Sequence, residues 1–84
     1  GTGVPLLYLQ VGAFGQWDNA ANLRTRLERA GYRPIFIQSV LAEGESAQRL
    51  YRVRVGPVAS VEDGDRLTQQ LEQFGIADAH IVVE

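Results

Sequence analysis

The sequence predicts an α+β domain of βαββαβ order, ferredoxin-like, in which a four-stranded antiparallel sheet carries two helices on one face. Three observations lead there. Residues 7–14 and 50–58 each alternate apolar and polar, the two-residue period of a half-buried strand. Residues 20–30 and 61–74 instead repeat apolar side chains at three and four residues, the stripe of an amphipathic helix. Finally, the two halves match at a constant offset. Leu9 answers to Val53, Val11 to Val55, Gly12 to Gly56, Phe14 to Val58, Leu23 to Leu67, Leu27 to Leu71, Gly31 to Gly75 and Ile37 to Ile81. A strand–helix–strand unit thus occurs twice, and closing two such units on short connections puts the first and third strands in the middle.

Each element has its own signals. In the first strand Leu7, Leu9 and Val11 face a core, while Tyr8, Gln10 and Gly12 face away. Asp18 or Asn19 is placed to cap a helix over 20–30, because a short oxygen-bearing side chain accepts from the free amides of a first turn. Gly31 ends that helix. A strand over 33–41 points Ile35 and Ile37 inward and Phe36 and Gln38 outward. Residues 42–48 are small and polar, a loop. The third strand turns Tyr51, Val53 and Val55 inward and Leu50, Arg52 and Arg54 outward, and Gly56-Pro57 stops it. Ser60 is the N-cap of the second helix, with Asp63 at the acidic position of a capping box. Its stripe is Gly64, Leu67, Leu71 and Phe74; Gly75 ends it, and 79–83 close the sheet.

Composition narrows the function. At 84 residues with 45% hydrophobic content the chain suits one modest core, assigned to 6–84 with 1–5 as linker. Gly1-Thr2-Gly3 reads as the edge of a segment cut from a longer parent. A net charge of -2 supplies no basic field for nucleic acid or an anionic membrane. The absence of cysteine removes disulfides and thiolate metal sites, and no apolar run approaches the roughly 18 residues of a membrane span. No cofactor or metal is expected. His80 is the single histidine and has no spaced partner. Ser60 reads as a cap rather than the nucleophile of a Ser60–His80–Asp63 triad. The glycines at 12 and 15 lack the third that a dinucleotide fingerprint needs. No catalytic constellation emerges.

The layout leaves one sheet face bare, and that face gathers Tyr8, Gln10, Leu50, Arg52 and Arg54. Such a surface fits a solvated polar face, common in antiparallel sheets, as well as a binding platform.

The ordered set Tyr8-Leu9-Gln10-Val11-Gly12-Ala13-Phe14, Asn19-Ala20 leading into Leu23 and Leu27, Gly31-Tyr32, and Tyr51-Arg52-Val53-Arg54-Val55-Gly56-Pro57-Val58 resembles the SPOR domain, most of all those at the C-terminus of lipoprotein lytic transglycosylases. The likeness runs from Leu7 to Val83. It implies a noncatalytic module of the bacterial envelope that binds denuded peptidoglycan, the GlcNAc–MurNAc strands stripped of stem peptides, across the bare sheet face. It further implies a monomer on the periplasmic side, delivering its parent to the division septum. That parent is expected to be an outer-membrane lipoprotein with transglycosylase activity.

The same resemblance puts the family's strand glutamine on Gln10 and its strand arginine on Arg52. A serine position of the family is Ala13 here, and a tryptophan position is Leu50, so a hydroxyl and a stacking contact are absent. Trp17 is offered as a replacement aromatic plate, against burial at the helix start. Arg52 or Arg54 would grip the lactyl carboxylate of muramic acid in a two-pronged pair. Tyr8 and Phe14 would lie on sugar rings, though the repeat partner of Phe14, Val58, equally suggests a plug under the turn. The competing expectations on this topology are an RNA-binding domain, which would stack bases on aromatics of the central strands, and a regulatory domain for a small ligand.

Overall fold

The computed structural model describes residues 4–42, 44 and 48–84. Its order is β1 (Leu7–Phe14), α1 (Trp17–Arg29), β2 (Ile35–Ala42), β3 (Gln48–Val58), α2 (Val61–Gln73) and β4 (His80–Val83). The strands form one sheet in the order β2-β3-β1-β4, and every neighbouring pair is antiparallel. Four residues of the expected 42–48 loop lie outside the described residues.

Both helices cover the same face. Leu9 and Val11 of β1 and Val53 and Val55 of β3 are buried with Ala20, Leu23 and Leu27 of α1 and with Leu71 and Ile76 at the end of α2. The side chains are those that the two periods assign inward, and removing their apolar surface from water is the main force holding the layers together. The repeat-equivalent leucines, Leu27 and Leu71, are both fully buried. Small residues let α2 come close: a Cβ on Gly64 would stand 2.9 Å from Cδ1 of Ile81.

Three expectations change. Helix α1 starts at Trp17, ahead of the expected Ala20, with Gln16 at the cap position and no side-chain cap; Asp18 sits inside the first turn. There its carboxylate still faces the positive end of the helix dipole. Strand β3 does not stop at Gly56-Pro57 but continues to Val58. It does so through a bulge: between the pairs Leu9↔Val55 and Leu7↔Val58, β3 spends one residue more than β1. The third change is the facing of Gly12. Gln10 pairs with Arg54 but Gly12 with Val53, so Val11 is an extra residue on β1. An extra residue reverses the alternation beyond it. Gly12 therefore turns to the helices, where a Cβ would meet the Phe14 ring at 2.8 Å and Leu23 at 3.1 Å. The two bulges fall at Val11-Gly12 and Gly56-Pro57, one residue out of step with the repeat, in which Gly12 answers to Gly56.

The second helix keeps its expected cap. The Asp63 amide donates to Ser60 Oγ at 3.1 Å. The Asp63 carboxylate does not reach back as a capping box requires; it accepts from Arg66 Nη1 at 3.0 Å.

Gly31 and Gly56 both have positive φ, 96° and 139°, but only Gly56 is also enclosed. A Cβ there would lie 3.0 Å from the Val58 amide nitrogen and 3.1 Å from the Tyr8 ring, whereas at Gly31 nothing lies within 4 Å. Urea denaturation should therefore show Gly31→Ala losing about 1 kcal/mol, the backbone cost alone, and Gly56→Ala losing about 2–3 kcal/mol. Equal losses would contradict the enclosure. Leu71→Ala should cost about 2–5 kcal/mol by the same measurement, as for other fully buried leucines.

Candidate functional site

The face opposite the helices is built from cross-strand rows. One row runs Phe36, Arg54, Gln10, His80 from β2 to β4; the next runs Gln38, Arg52, Ala13; beyond it Val40 stands beside Leu50. On the other side of the first row Tyr8 pairs with Val82. The reversal at Val11 is what brings Ala13, rather than Gly12, onto this face opposite Arg52.

Arg54 is the unexpected member. Although it lies on the face without helices, it is 3% exposed. Its Nε donates to Gln10 Oε1 at 3.2 Å, and its Nη1 is ion-paired with the Glu84 carboxylate. Tyr8 and Phe36 meet edge to face at 5.3 Å between ring centres, although β3 separates their strands. Gly56 allows this, since the Tyr8 ring lies over the place where its side chain would be. A buried guanidinium needs a carboxylate and hydrogen-bond acceptors to offset its desolvation, and here both are internal. Arg54 is thus committed to an internal pair and is not a free cation of the face, although the sequence offered it as the alternative to Arg52 for gripping the carboxylate.

Arg52 is the guanidinium left over. It is half-buried, and among the described residues the ion pairs are Arg24–Glu28, Arg54–Glu84 and Arg66–Asp63, so no carboxylate occupies it. Its neighbour Gln38 has a buried Oε1 without a hydrogen-bond partner among the described residues. Five N–H donors in a planar fork beside an unused amide oxygen make this the most polar and least satisfied part of the face.

The other candidates divide. Gln10, Ala13 and Leu50 are on the open face with Arg52. Tyr8 is there too, with its ring engaged by Phe36 and Gly56. Phe14 is not. After the reversal at Val11 it points to the helix side and packs against the core. It does line a cleft of about 520 Å³ along the edge of β1, together with Gln10, Ala13, Arg26, Asp78 and His80. The cleft exists because β4 pairs only with Leu7 to Gln10 and leaves the rest of that edge open. Trp17 is also off the face. As the first residue of α1 it meets Tyr51, a core-side residue, edge to face at 5.7 Å. The Arg24 guanidinium lies 5.6 Å from its ring centre. It is 46% exposed, but on the helix side of the sheet, so it does not supply the replacement aromatic plate.

The candidate residues read from the sequence do not include Gln38, His80 or Glu84. Alternation along β2 already turns Gln38 outward, which was a usable signal. His80 joins the row through its pairing with Gln10, and its Nδ1–H donates to the Asp78 carbonyl at 3.1 Å. That leaves Nε2 as an acceptor in the neutral ring. Glu84 had no local signal, because its partner is thirty residues away. Among the described residues no group of three or more His, Cys, Asp or Glu is assembled that could hold a metal ion, and no helix is long and apolar enough to cross a membrane.

Comparison with known proteins agrees with this architecture. Two curated relatives, the endolytic peptidoglycan transglycosylases RlpA of Pseudomonas aeruginosa strains UCBPP-PA14 and PAO1, are each 36% identical over 76 residues. Those residues are 90% of this chain but 21% of either relative, so the chain spans about a fifth of their length. The crystal structure of the RlpA SPOR domain from Pseudomonas aeruginosa superimposes with a TM-score of 0.78 at 36% identity, covering 90% of this chain and 96% of that one. It has the same four-stranded, two-helix fold. The sequence model of the SPOR domain matches residues 5–81. With nearly the whole chain matched and the fold shared, this protein belongs to the SPOR domain family.

Proposed function

We propose that this domain is a noncatalytic module that binds the glycan strands of peptidoglycan across its open sheet face. In this reading it prefers denuded strands and so carries a parent protein to the division septum on the periplasmic side of the envelope. The observation that carries the reading is Arg52, a guanidinium that no carboxylate pairs among the described residues, on a face opposite the helices. Family membership and the likeness to the SPOR domain of a peptidoglycan transglycosylase supply the ligand class. The likeness to a transglycosylase supports a parent of that activity; in this reading the parent is also an outer-membrane lipoprotein, and the domain acts in it as a monomer.

The chemistry is direct. Removal of a stem peptide leaves each muramic lactyl group as a free carboxylate. Arg52 can clasp it with two parallel N–H···O bonds, which are shorter and stronger than neutral ones. With Arg54 withdrawn into its internal pair, that grip falls to Arg52 alone. Gln10 and Gln38 flank it with amide groups suited to acetamido and hydroxyl partners, and Val40 with Leu50 offers an apolar strip for a sugar ring. An intact stem peptide converts the carboxylate to an amide. The charge is then lost, bulk is added, and discrimination follows from both.

Sacculi treated with an amidase should retain the domain in a sedimentation assay, and untreated sacculi should retain much less. Equal retention by both would remove the preference for denuded strands. Arg52→Ala should weaken binding to treated sacculi about tenfold or more, the worth of a charged hydrogen-bonded pair, while shifting stability by less than about 1 kcal/mol. Arg54→Ala should do the converse to the fold, costing about 3 kcal/mol in denaturation because it strands Glu84 and Gln10 and empties a buried position. Comparable stability losses for the two variants would show that the division of labour between the arginines is misassigned.

A further inference from the structure

We propose that Arg54 and Glu84 are positioning residues that fix the polarity of the Gln10 amide, so that the face reads the carbonyl oxygen of an N-acetyl group and rejects N-deacetylated sugar. This rests on the glycan reading above and adds to it which group on the sugar is recognised.

The argument begins with what a guanidinium can do. Arg54 has donors only. Whatever atom of Gln10 meets its Nε must therefore be the amide oxygen, which is the arrangement at 3.2 Å. The amide nitrogen, with its two hydrogens, then points away from Arg54. Turning the amide over would aim those hydrogens at a buried cation, and an isolated glutamine on a strand has no such restriction. Arg54 in turn cannot swing aside. It is 3% exposed, and its other arm is held by Glu84. Glu84 is itself anchored, because its backbone N–H and C=O both bond to Leu6 at 2.9 Å, extending the β1–β4 pairing by one residue. The chain of support thus runs from backbone to carboxylate to guanidinium to amide.

The consequence is a donor-only pair on the two central strands. Gln10 offers N–H₂ from β1, and Arg52 offers its fork from β3. Both call for acceptors on the ligand. A denuded strand supplies the lactyl carboxylate, the acetamido carbonyl and, as weaker acceptors, its hydroxyl and ether oxygens. The carboxylate suits the cation, so the carbonyl, the strongest acceptor that remains, falls to Gln10. N-deacetylation removes that carbonyl and leaves an amine, whose N–H groups, and in the protonated form all its polar hydrogens, face a donor.

Binding of amidase-treated glycan strands, N-acetylated and chemically N-deacetylated, is to be measured for the unaltered domain, Gln10→Glu and Glu84→Gln. Gln10→Glu keeps an oxygen for Arg54 and replaces the outward N–H₂ by an acceptor, so its melting temperature should equal or exceed that of the unaltered domain. The unaltered domain should favour the acetylated strands about tenfold. Gln10→Glu should abolish or invert that ratio, which a loss of general stickiness would not do. Glu84→Gln should lower the ratio about threefold and, in spectra without ligand, increase the motion of the Gln10 side-chain amide. An unchanged ratio in Gln10→Glu, or a Gln10 amide indifferent to Glu84→Gln, overturns the positioning role. Failure of the unaltered domain to bind denuded strands of either kind overturns the glycan reading instead, and the ligand-free spectra and the Gln10→Glu melting temperature then decide the polarity of the amide by themselves.

Discussion

A buried arginine on the side of the sheet that has no helices is the constraint around which this domain is arranged. Arg54 gives up its water on a surface where water is otherwise available. That is tolerable only because two neighbours supply matched groups: Gln10 on β1 and Glu84 just past β4. Phe36 stands beside it in register on β2. The hydrophobic core fastens the helices to one face; the arginine ties the strands together on the other. Removing either partner alone leaves a charge poorly compensated, which is why such clusters act as a unit.

The internal repeat explains where this cluster sits. Gln10 and Arg54 occupy equivalent positions in the two strand–helix–strand units, and they are also direct cross-strand partners. A residue that pairs with its own repeat mate marks the local two-fold axis between β1 and β3. At that point a symmetric pair would place like side chains together. A glutamine facing an arginine instead makes a donor–acceptor contact and breaks the symmetry. The two halves have diverged in chemistry at the place where they touch. The two bulges around this point lie one residue out of step with the repeat, at Val11-Gly12 and Gly56-Pro57. Each one re-aims a side chain of the site: the first turns Ala13 to the open face and Phe14 away from it, and the second makes room for Tyr8 to cross β3 and reach Phe36.

Two arginines separated by one residue thus have opposite surroundings. Arg52 and Arg54 share a strand, a face and a side-chain type, and nothing in the order Tyr51-Arg52-Val53-Arg54-Val55 distinguishes them. What separates them is the neighbouring strand. Arg54 stands opposite Gln10 and within reach of Glu84, whereas Arg52 stands opposite Ala13, which has no polar atom to offer. Alanine has no hydroxyl to offer the guanidinium, and among the described residues no carboxylate pairs with Arg52.

The amino-acid sequence by itself determined the order of elements, the repeat, the choice of core side chains and the side of the sheet left open. These follow from local periodicity and from the chemistry of turns, which each segment expresses without reference to the others. It also placed Gln10 and Arg52 together, because a repeat of strand–helix–strand units admits few closures. The tertiary structure alone decided the facing of Gly12 and Phe14, the withdrawal of Arg54, the turning of Trp17 toward Tyr51 and the part played by Glu84. The physical reason is common to all of these. A bulge is set by pairing between strands far apart in the chain. The fate of a charge depends on which carboxylate arrives beside it, and neither is written in the period of any one segment.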